Sequence, residues 1–445
     1  MTVPPGDLRH SRRAVEAVWR VESARIVGSL TRLVGSLDGA EDLAQEALAE
    51  ALEAWPRDGV PRNPGAWLTT VARRRAIDAW RRAERLEVRH AHLARELEVA
   101  LEEDWDPERI DDDVLRLVFV ACHPVLSREA QVALTLRVVG GLTSEEIAAA
   151  FLVPTATVQQ RIVRAKRTLA AADVPFAVPG PEEYGARLAG VLAVVYLIFN
   201  EGYAATSGDR WLRREVAGEA LRLGRMVAAL VPREPEVQAL VALMELVASR
   251  FPARTAPDGS AVPPGEQDRS RWDRDAIRRG DEAPARADAL GRGRAAYGLQ
   301  AAIAQCHAHA PSAAQTDWER IVLLYEALGR LTPSPVVELN RAAAVSMAEG
   351  PTAALTIVER LVSAGELRNY HLQAVVRGDL LVQLRRYAEL ARAAEMTGNE
   401  RERGARGQNR RCSAARSRVA VRVDRPPLIE AASAHDLEWR RGGRR

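Results

Sequence analysis

Thirty residues, GGLTSEEIAAAFLVPTATVQQRIVRAKRTL (Gly140 to Leu169), constrain the fold of this chain more than any other stretch. They hold two short apolar periodicities of helical spacing, separated by a break at Leu152-Val153-Pro154. Thr143 and Glu146 stand at the spacing of a capping box and start the first helix, and Ile147, Ala148 and Phe151 give it an apolar face. Thr155 is expected to cap the second helix. At about 100° per residue, Val158, Ile162, Ala165 and Leu169 fall on one narrow core stripe. Gln160, Val163, Arg164 and Arg167 collect on the opposite side, with Gln159, Arg161 and Lys166 on its flanks. A solvated basic helix would account for the cations alone. The capped first helix, the short break and the basic second helix together predict a helix-turn-helix. Glutamine can pair with adenine in the major groove, and an apolar tip can meet a thymine methyl. Arginine neutralises phosphate and fixes register. Many such units place glycine in the turn; Leu152 stands there, so this turn must be made differently.

Helical periodicity dominates the rest of the chain, so the expected fold class is all-α. With 445 residues the chain exceeds one compact core, and two or three domains are expected. The formal net charge of +3 excludes a global polycation, so any nucleic-acid site must be a local patch. Lys166 is the only lysine, and the cysteines are Cys122, Cys306 and Cys412. That usage speaks against a disulfide scaffold and for a reducing, cytoplasmic setting. The start, MTVPPGDLRHSRRAV, lacks the apolar core of a signal peptide. The apolar run from Val191 to Phe199 is too short to span a bilayer and is expected to be a buried helix, so no membrane partner is expected.

The expected organisation is a helical domain over 10–95, a linker over 96–111, the helix-turn-helix domain over 112–175, a helical region over 176–403 and a basic tail over 404–445. The stretch LEEDWDPERIDDD (Leu101 to Asp113) enters the second domain, and VPFAVPGPEEYG (Val174 to Gly185) marks its end. Two helix-pair-like segments later in the chain align Ala343 with Gly378 and Gly350 with Arg385, an offset of 35 near the tetratricopeptide period. From Gly404 onward there are 11 Arg against 4 Asp and Glu, which is +7 and leaves −4 for the remainder. This reads either as a disordered basic tail or as the product of an altered reading frame.

The first domain narrows the function. GAEDLAQEALAEALEAW (Gly39 to Trp55) is amphipathic, with Leu43, Ala47, Leu48, Ala51, Leu52 and Trp55 expected in the core. Asp42, Glu46, Glu50 and Glu53 make an acidic ridge that repels DNA and suits a basic protein partner. A loop, PRDGVPRNPG (Pro56 to Gly65), stiffened by three prolines, follows. The next helix, AWLTTVARRRAIDAWRRAERL (Ala66 to Leu86), has an apolar stripe of Leu68, Val71, Ala72, Ala76 and Ala79. Arg74, Arg81 and Arg85 project opposite, with Arg73 and Arg82 nearby.

These three stretches, in this order, resemble regions 2 and 4 of an extracytoplasmic-function (ECF) sigma factor of the sigma-70 family. The resemblance is greatest to the subgroup with a long helical, tetratricopeptide-like C-terminal extension. YLIFNEGYAA (Tyr196 to Ala205), DRSRWDRDAI (Asp268 to Ile277) and SPVVELNRAAAV (Ser334 to Val345) resemble that extension, and the likeness covers about Val15 to Arg403. It implies two small helical sigma domains followed by a helical, tetratricopeptide-like domain. It further implies that Glu41, Asp42, Gln45 and Glu46 dock on the β′ clamp helices of core RNA polymerase, with the β flap as a second polymerase contact. The positions matching recognition and opening of the −10 element are the loop with Arg73, Arg74 and Arg81. Holding a flipped base there offsets the cost of unstacking it. Gln159, Gln160 and Val163 match the readers of the −35 element, with Arg161, Arg164 and Arg167 on phosphates. Two departures bear on which promoter is read: Arg75 replaces a usual asparagine, and Gln159-Gln160 replaces a usual small or basic pair.

No catalytic residue, metal or cofactor is expected. Cys306 with His309, and Cys122 with His123, lack further ligands at regular spacing. FNEGY and DRSRWDRD are read as hydrogen-bonded helix junctions rather than a ligand pocket. Trp318, Ile321, Tyr325 and Leu328 are read as repeat core. The extension is expected to be a regulatory scaffold that contacts polymerase, a regulatory protein or the sigma domains. Two other readings stay open: a free-standing helix-turn-helix regulator, and a helical enzyme with a DNA-binding front end.

Overall fold

A computed structural model of the protein describes residues 5–84, 107–151, 153–203, 213–256, 262, 264–289, 294–367 and 370–384. Among the described residues the chain is helical and no strand forms. It divides into two compact units. The first holds the chain through Gly202 together with Glu215–Leu230, and the second holds Val231 onward with Tyr203.

The first unit is organised by α1 (Pro5–Val34), a helix of 30 residues. It packs on α2 (Leu37–Asp58), on α3 (Pro64–Glu84) and also on α4 (Pro107–Ala121). Ser36 caps α2 by accepting from the Gly39 N–H at 3.3 Å. The face of α2 turned inward is Ala40, Ala44, Ala47, Ala51 and Trp55. This is a correction to the expected stripe: Leu43 and Leu48 are only half-buried and Leu52 is exposed. Small side chains let helices approach closely, so the alanines take the contact line and the leucines cover its edges. The loop is also shorter than the run from Pro56 to Gly65. Pro56 lies within α2 and Pro64 opens α3, leaving only Gly59 to Asn63 between them, with Gly59 at φ 84°. Proline fits a first helical turn because its missing N–H has no partner there anyway.

After α4 come α5 (Arg128–Leu134), a π turn over Thr135–Val139, α6 (Ser144–Phe151) and α7 (Thr155–Ala171). The π turn is marked by the Gly140 N–H donating to the Thr135 carbonyl at 2.9 Å. Helix α7 packs against both α5 and α6.

Helix α8 (Pro181–Tyr203) extends well beyond the apolar run read from the sequence. It is long and apolar enough to cross a membrane by length and composition, but half of its most apolar window is buried within the protein. Arg187 donates to the Phe119 carbonyl of α4 at 3.1 Å, and Tyr184 packs on the Phe119 ring at 5.7 Å. Helix α9 (Arg214–Leu230) lies so close that a Cβ on Gly202 would come 2.3 Å from the Ala217 backbone nitrogen. Arg222 of α9 donates to the Gly140 carbonyl at 3.2 Å.

The second unit is built around α10 (Pro235–Ala248), buried continuously from Val237 to Val247 as a central helix must be. It packs on α11 (Arg274–Ala289) and α12 (Ala296–His309). Then α13 (Trp318–Leu331), α14 (Pro335–Ala348), α15 (Pro351–Ser363) and α16 (His371–Gln383) each pack on the helix before. Ile321, Tyr325 and Leu328 are core residues of α13, and Trp318 meets His307 edge-on at 5.2 Å. The DRSRWDRD stretch forms a junction. Arg269 donates to the carbonyls of His307 and Ala310, both at 2.6 Å, and so closes the C-terminal end of α12. Arg250 and Arg269 lie over the Trp272 ring at 5.3 and 4.9 Å. At the end of α8, Arg254 sits over the Tyr203 ring at 3.3 Å and donates to its carbonyl at 3.0 Å. The rest of the second helix-pair-like segment, from 385 on, and the basic tail lie outside the described residues.

Two glycines predict opposite outcomes. Gly202→Ala forces a methyl into the α9 backbone and should cost about 1–3 kcal/mol, whereas Gly218→Ala has nothing within 4 Å. In a helix interior the latter should gain about 0.5–1 kcal/mol. Thermal unfolding followed by circular dichroism should move the midpoint down for the first and up for the second.

Candidate nucleic-acid interface

The capping box forms as its spacing requires. Glu146 accepts from the Thr143 N–H at 2.9 Å, and the Thr143 hydroxyl accepts from the Glu146 N–H at 3.1 Å. Val158, Ile162, Ala165 and Leu169 are the buried residues of α7. Gln159, Gln160, Val163, Arg164 and Arg167 are exposed and Arg161 is half-buried, so the side predicted to face outward does so. Thr155 is not the cap. Pro154 takes that position in an extended conformation with no side-chain hydrogen bond, and its carbonyl accepts from the Thr157 N–H at 2.9 Å. Leu152 lies outside the described residues.

On the first helical block, Asp42, Glu46 and Glu53 are exposed and Glu50 and Gln45 half-buried. Burial raises the Asp42 carboxyl above its ordinary range, reinforced by Asp38 and eased by Lys166. Glu41 departs from this ridge: it is 5% exposed. On α3, Arg74 is exposed and Arg73 half-buried. Burial lowers the Arg73 guanidinium, as does nearby Arg32, with Asp113 opposing. Arg75 reaches back to α2, to Glu50 at 2.7 Å and Glu46 at 2.9 Å, and those bonds raise it. The side chain of Arg81 lies outside the described residues, as do those of Arg82 and Arg85.

The two blocks meet within the first unit. Asp113 of α4, 1% exposed, accepts from Arg32 of α1 at 2.9 Å and from Arg116 at 2.7 Å. Glu41 accepts from Arg137 of the π turn at 2.5 Å and pairs with Lys166 of α7 at 2.7 Å. Lys166 also reaches Asp38 at 2.7 Å, and Arg20 pairs with Glu146. Burial pulls the Lys166 ammonium down, but Glu41 and Asp38 outweigh it and the net shift is upward. Gly141, at φ 71°, faces α1, where a Cβ would come within 2.5 Å of Ser23 Oγ. Sequence reasoning placed Lys166 on the flank of α7 and missed Asp38, Asp113 and Arg137. The one available signal was that Lys166 has no second lysine for company.

The two Cys/His pairs find protein partners. The Cys122 thiol lies 3.4 Å from the Thr135 hydroxyl, and burial pushes it up to about 11. His309 Nε2 lies 2.9 Å from Asp281. Among the described residues no three His, Cys, Asp or Glu side chains are grouped to hold a metal.

Comparison with known proteins gives three family matches in chain order. Sigma-70 region 2 matches residues 20–86, Sigma-70 region 4 matches 116–169, and a family of unknown function, DUF6596, matches 187–288. An uncharacterized protein of Rhizobium meliloti is 46% identical over 378 residues, 82% of this chain and 86% of its own length. A Mycobacterium tuberculosis protein named Probable ECF RNA polymerase sigma factor SigI is 29% identical over 159 residues, 35% of this chain and 54% of its own. No solved structure matches.

The Arg75 pairs are exposed enough that Arg75→Ala should change unfolding free energy by less than about 1 kcal/mol. Urea denaturation should find the midpoint nearly unmoved. A loss of several kcal/mol would mean that Arg75 is structural.

Proposed function

The chain belongs to the ECF branch of the sigma-70 family, in the subgroup with a long helical C-terminal extension, and we propose that it directs core RNA polymerase to particular promoters and starts transcription there. Its family makes it a sigma factor, with core polymerase and promoter DNA as partners. The observation that carries the finer reading is the exposed Gln159, Gln160, Val163, Arg164 and Arg167 face of α7, held out by a capped helix-turn-helix. In this reading the two glutamines and Val163 contact base edges of the −35 element, and Arg161, Arg164 and Arg167 hold phosphates. Arg73, Arg74 and Arg81, with the chain before α3, act at the −10 element. Asp42 and Glu46, with Gln45 and Glu41, dock on the β′ clamp helices, and region 4 meets the β flap. The role is one of binding and strand opening, with no catalytic step assigned to this chain.

The extension has a regulatory role in this reading, in place of a separate inhibitory protein. Its first two helices are supported as part of the region 4 body by the Arg187 and Arg222 hydrogen bonds. A truncation meant to test regulation should therefore cut after Leu230, not before α8. Promoter output unchanged by that cut in every condition would count against regulation by the remainder.

Run-off transcription on the DNA upstream of its own gene, with core polymerase and this protein, should give a defined start. Asp42→Arg should abolish polymerase binding while leaving duplex binding intact. A free-standing regulator would bind duplex without polymerase and would be indifferent to this change. Gln160→Ala with Val163→Ala should cost about 1–3 kcal/mol of discrimination per lost base contact. Arg164→Ala should weaken all sequences alike and flatten the salt dependence. If the double variant keeps its promoter preference, the base-reading assignment is wrong.

A further inference from the structure

The DRSRWDRD junction closes α12 without using up its donors. Two cations share one indole there: Arg250 and Arg269 lie over the Trp272 ring at 5.3 and 4.9 Å. Arg250 is 5% exposed and Trp272 4%, while Arg269 is half-buried. The Arg250 Nε donates to Gln267 Oε1 at 3.1 Å, and Gln267 is itself fixed by donating to the Val262 carbonyl at 3.1 Å. The two Nη groups of Arg250 and the Trp272 Nε1–H have no acceptor among the described residues. Buried donors of this strength are rarely left unmatched. We infer that this junction is a binding site for a phosphate group, free or carried on a small metabolite, held by Arg250 and the Trp272 N–H with Arg269 adding charge.

The charge balance points the same way. Among the described residues neither guanidinium forms an ion pair with a carboxylate. The carboxylates beside them in sequence are engaged locally. Asp268 accepts from the Ser270 N–H at 2.9 Å and its hydroxyl at 2.6 Å, and Asp273 from the Ala276 N–H at 3.0 Å. Two helix ends do offer negative charge: Arg269 donates to carbonyls at the end of α12, and Arg250 lies two residues beyond α10. A helix C-terminus carries about half a negative charge, so about one positive charge of the pair is left over. His307 feels the surplus. Burial, then Arg250 and Arg269, push it down to about 3, so it stays neutral. A buried cation without a counter-charge is strongly disfavoured, and a bound anion supplies one. The donors select its shape. A guanidinium fork takes two oxygens side by side. A carboxylate gives both of its oxygens to that fork, whereas a phosphate keeps others for the indole N–H.

Equilibrium dialysis of the full chain against radiolabelled inorganic phosphate, with chloride holding the ionic strength constant, should find one saturable site per chain. Glycerol phosphate as competitor separates the sources: stronger competition than by unlabelled phosphate assigns the group to a metabolite, and equal competition to the free ion. Trp272→Phe keeps a ring under both cations and removes only the N–H, so it should weaken binding about tenfold or more. Arg250→Gln should abolish saturable binding. Arg164→Ala with Arg167→Ala alters only the exposed face of α7 and should leave the site intact. Absence of saturable binding up to about 10 mM phosphate, binding unchanged in both junction variants, or binding lost with the α7 variant would overturn the inference. If the junction variants fail to fold by circular dichroism, the wild type and the α7 variant still decide. The measurement uses neither polymerase nor DNA. Its failure leaves the sigma reading standing, and a failed run-off assay leaves the phosphate site standing.

Discussion

A carboxylate taken out of water must be matched by charge, and in the first unit Glu41 and Asp113 are matched by cations from other elements. Glu41 on α2 is answered by Arg137 and Lys166, and Asp113 on α4 by Arg32 and Arg116. Each ion costs several kcal/mol to desolvate, and losing one partner of a buried pair typically costs about 3–5 kcal/mol. Three of those four cations come from elements other than the one bearing the carboxylate. The pairs therefore specify which elements are neighbours more than they add net stability. Helix α1 supplies the straight edge between them. Its Gly28 approaches the Asp113 carbonyl so closely that a Cβ would meet it at 3.0 Å.

What the sequence disclosed was local. The capping box of Thr143 and Glu146, the core stripe of α7 and the outward Gln160 and Arg164 need only helical spacing, and they appear as expected. Where the reading missed, a tertiary contact had overruled a local preference. Leu52 is more hydrophobic than Ala44, yet Ala44 is buried because helices close on small residues. Glu41 belongs to a charged ridge by spacing alone, and only the approach of α7 turns it inward. Thr155 is a better cap by type than Pro154, but proline already holds the extended backbone that position requires. Asp38, Asp113 and Arg137 carry no motif, so nothing short of the fold could pair them.

The first compact unit runs further along the chain than the change of composition suggests. The Pro/Gly-rich stretch before α8 marks a change of composition, but α8 and α9 return to the body of the helix-turn-helix through Phe119 and Gly140. Gly140 is the residue just before Gly141. The same short segment thus carries contacts from the extension on one side and from α1 on the other. Helix α9 and helix α1 meet the chain at two consecutive residues, Gly140 and Gly141.

The π turn has its own bearing on how such a chain could arise. It holds one residue more per turn than an α-helix. Removing a single residue between Thr135 and Val139 would let the regular helix run through and swing Arg137 by about 100° relative to the segment that follows. The capping box, the core stripe and the exposed side chains of α7 would all survive that deletion, since each is local. The Arg137 hold on Glu41 would be lost, leaving Lys166 as its remaining cation. The Arg137–Glu41 pair and the outward face of α7 are therefore encoded separately, and one codon gained or lost between Thr135 and Val139 can make or break the first while leaving the second in place.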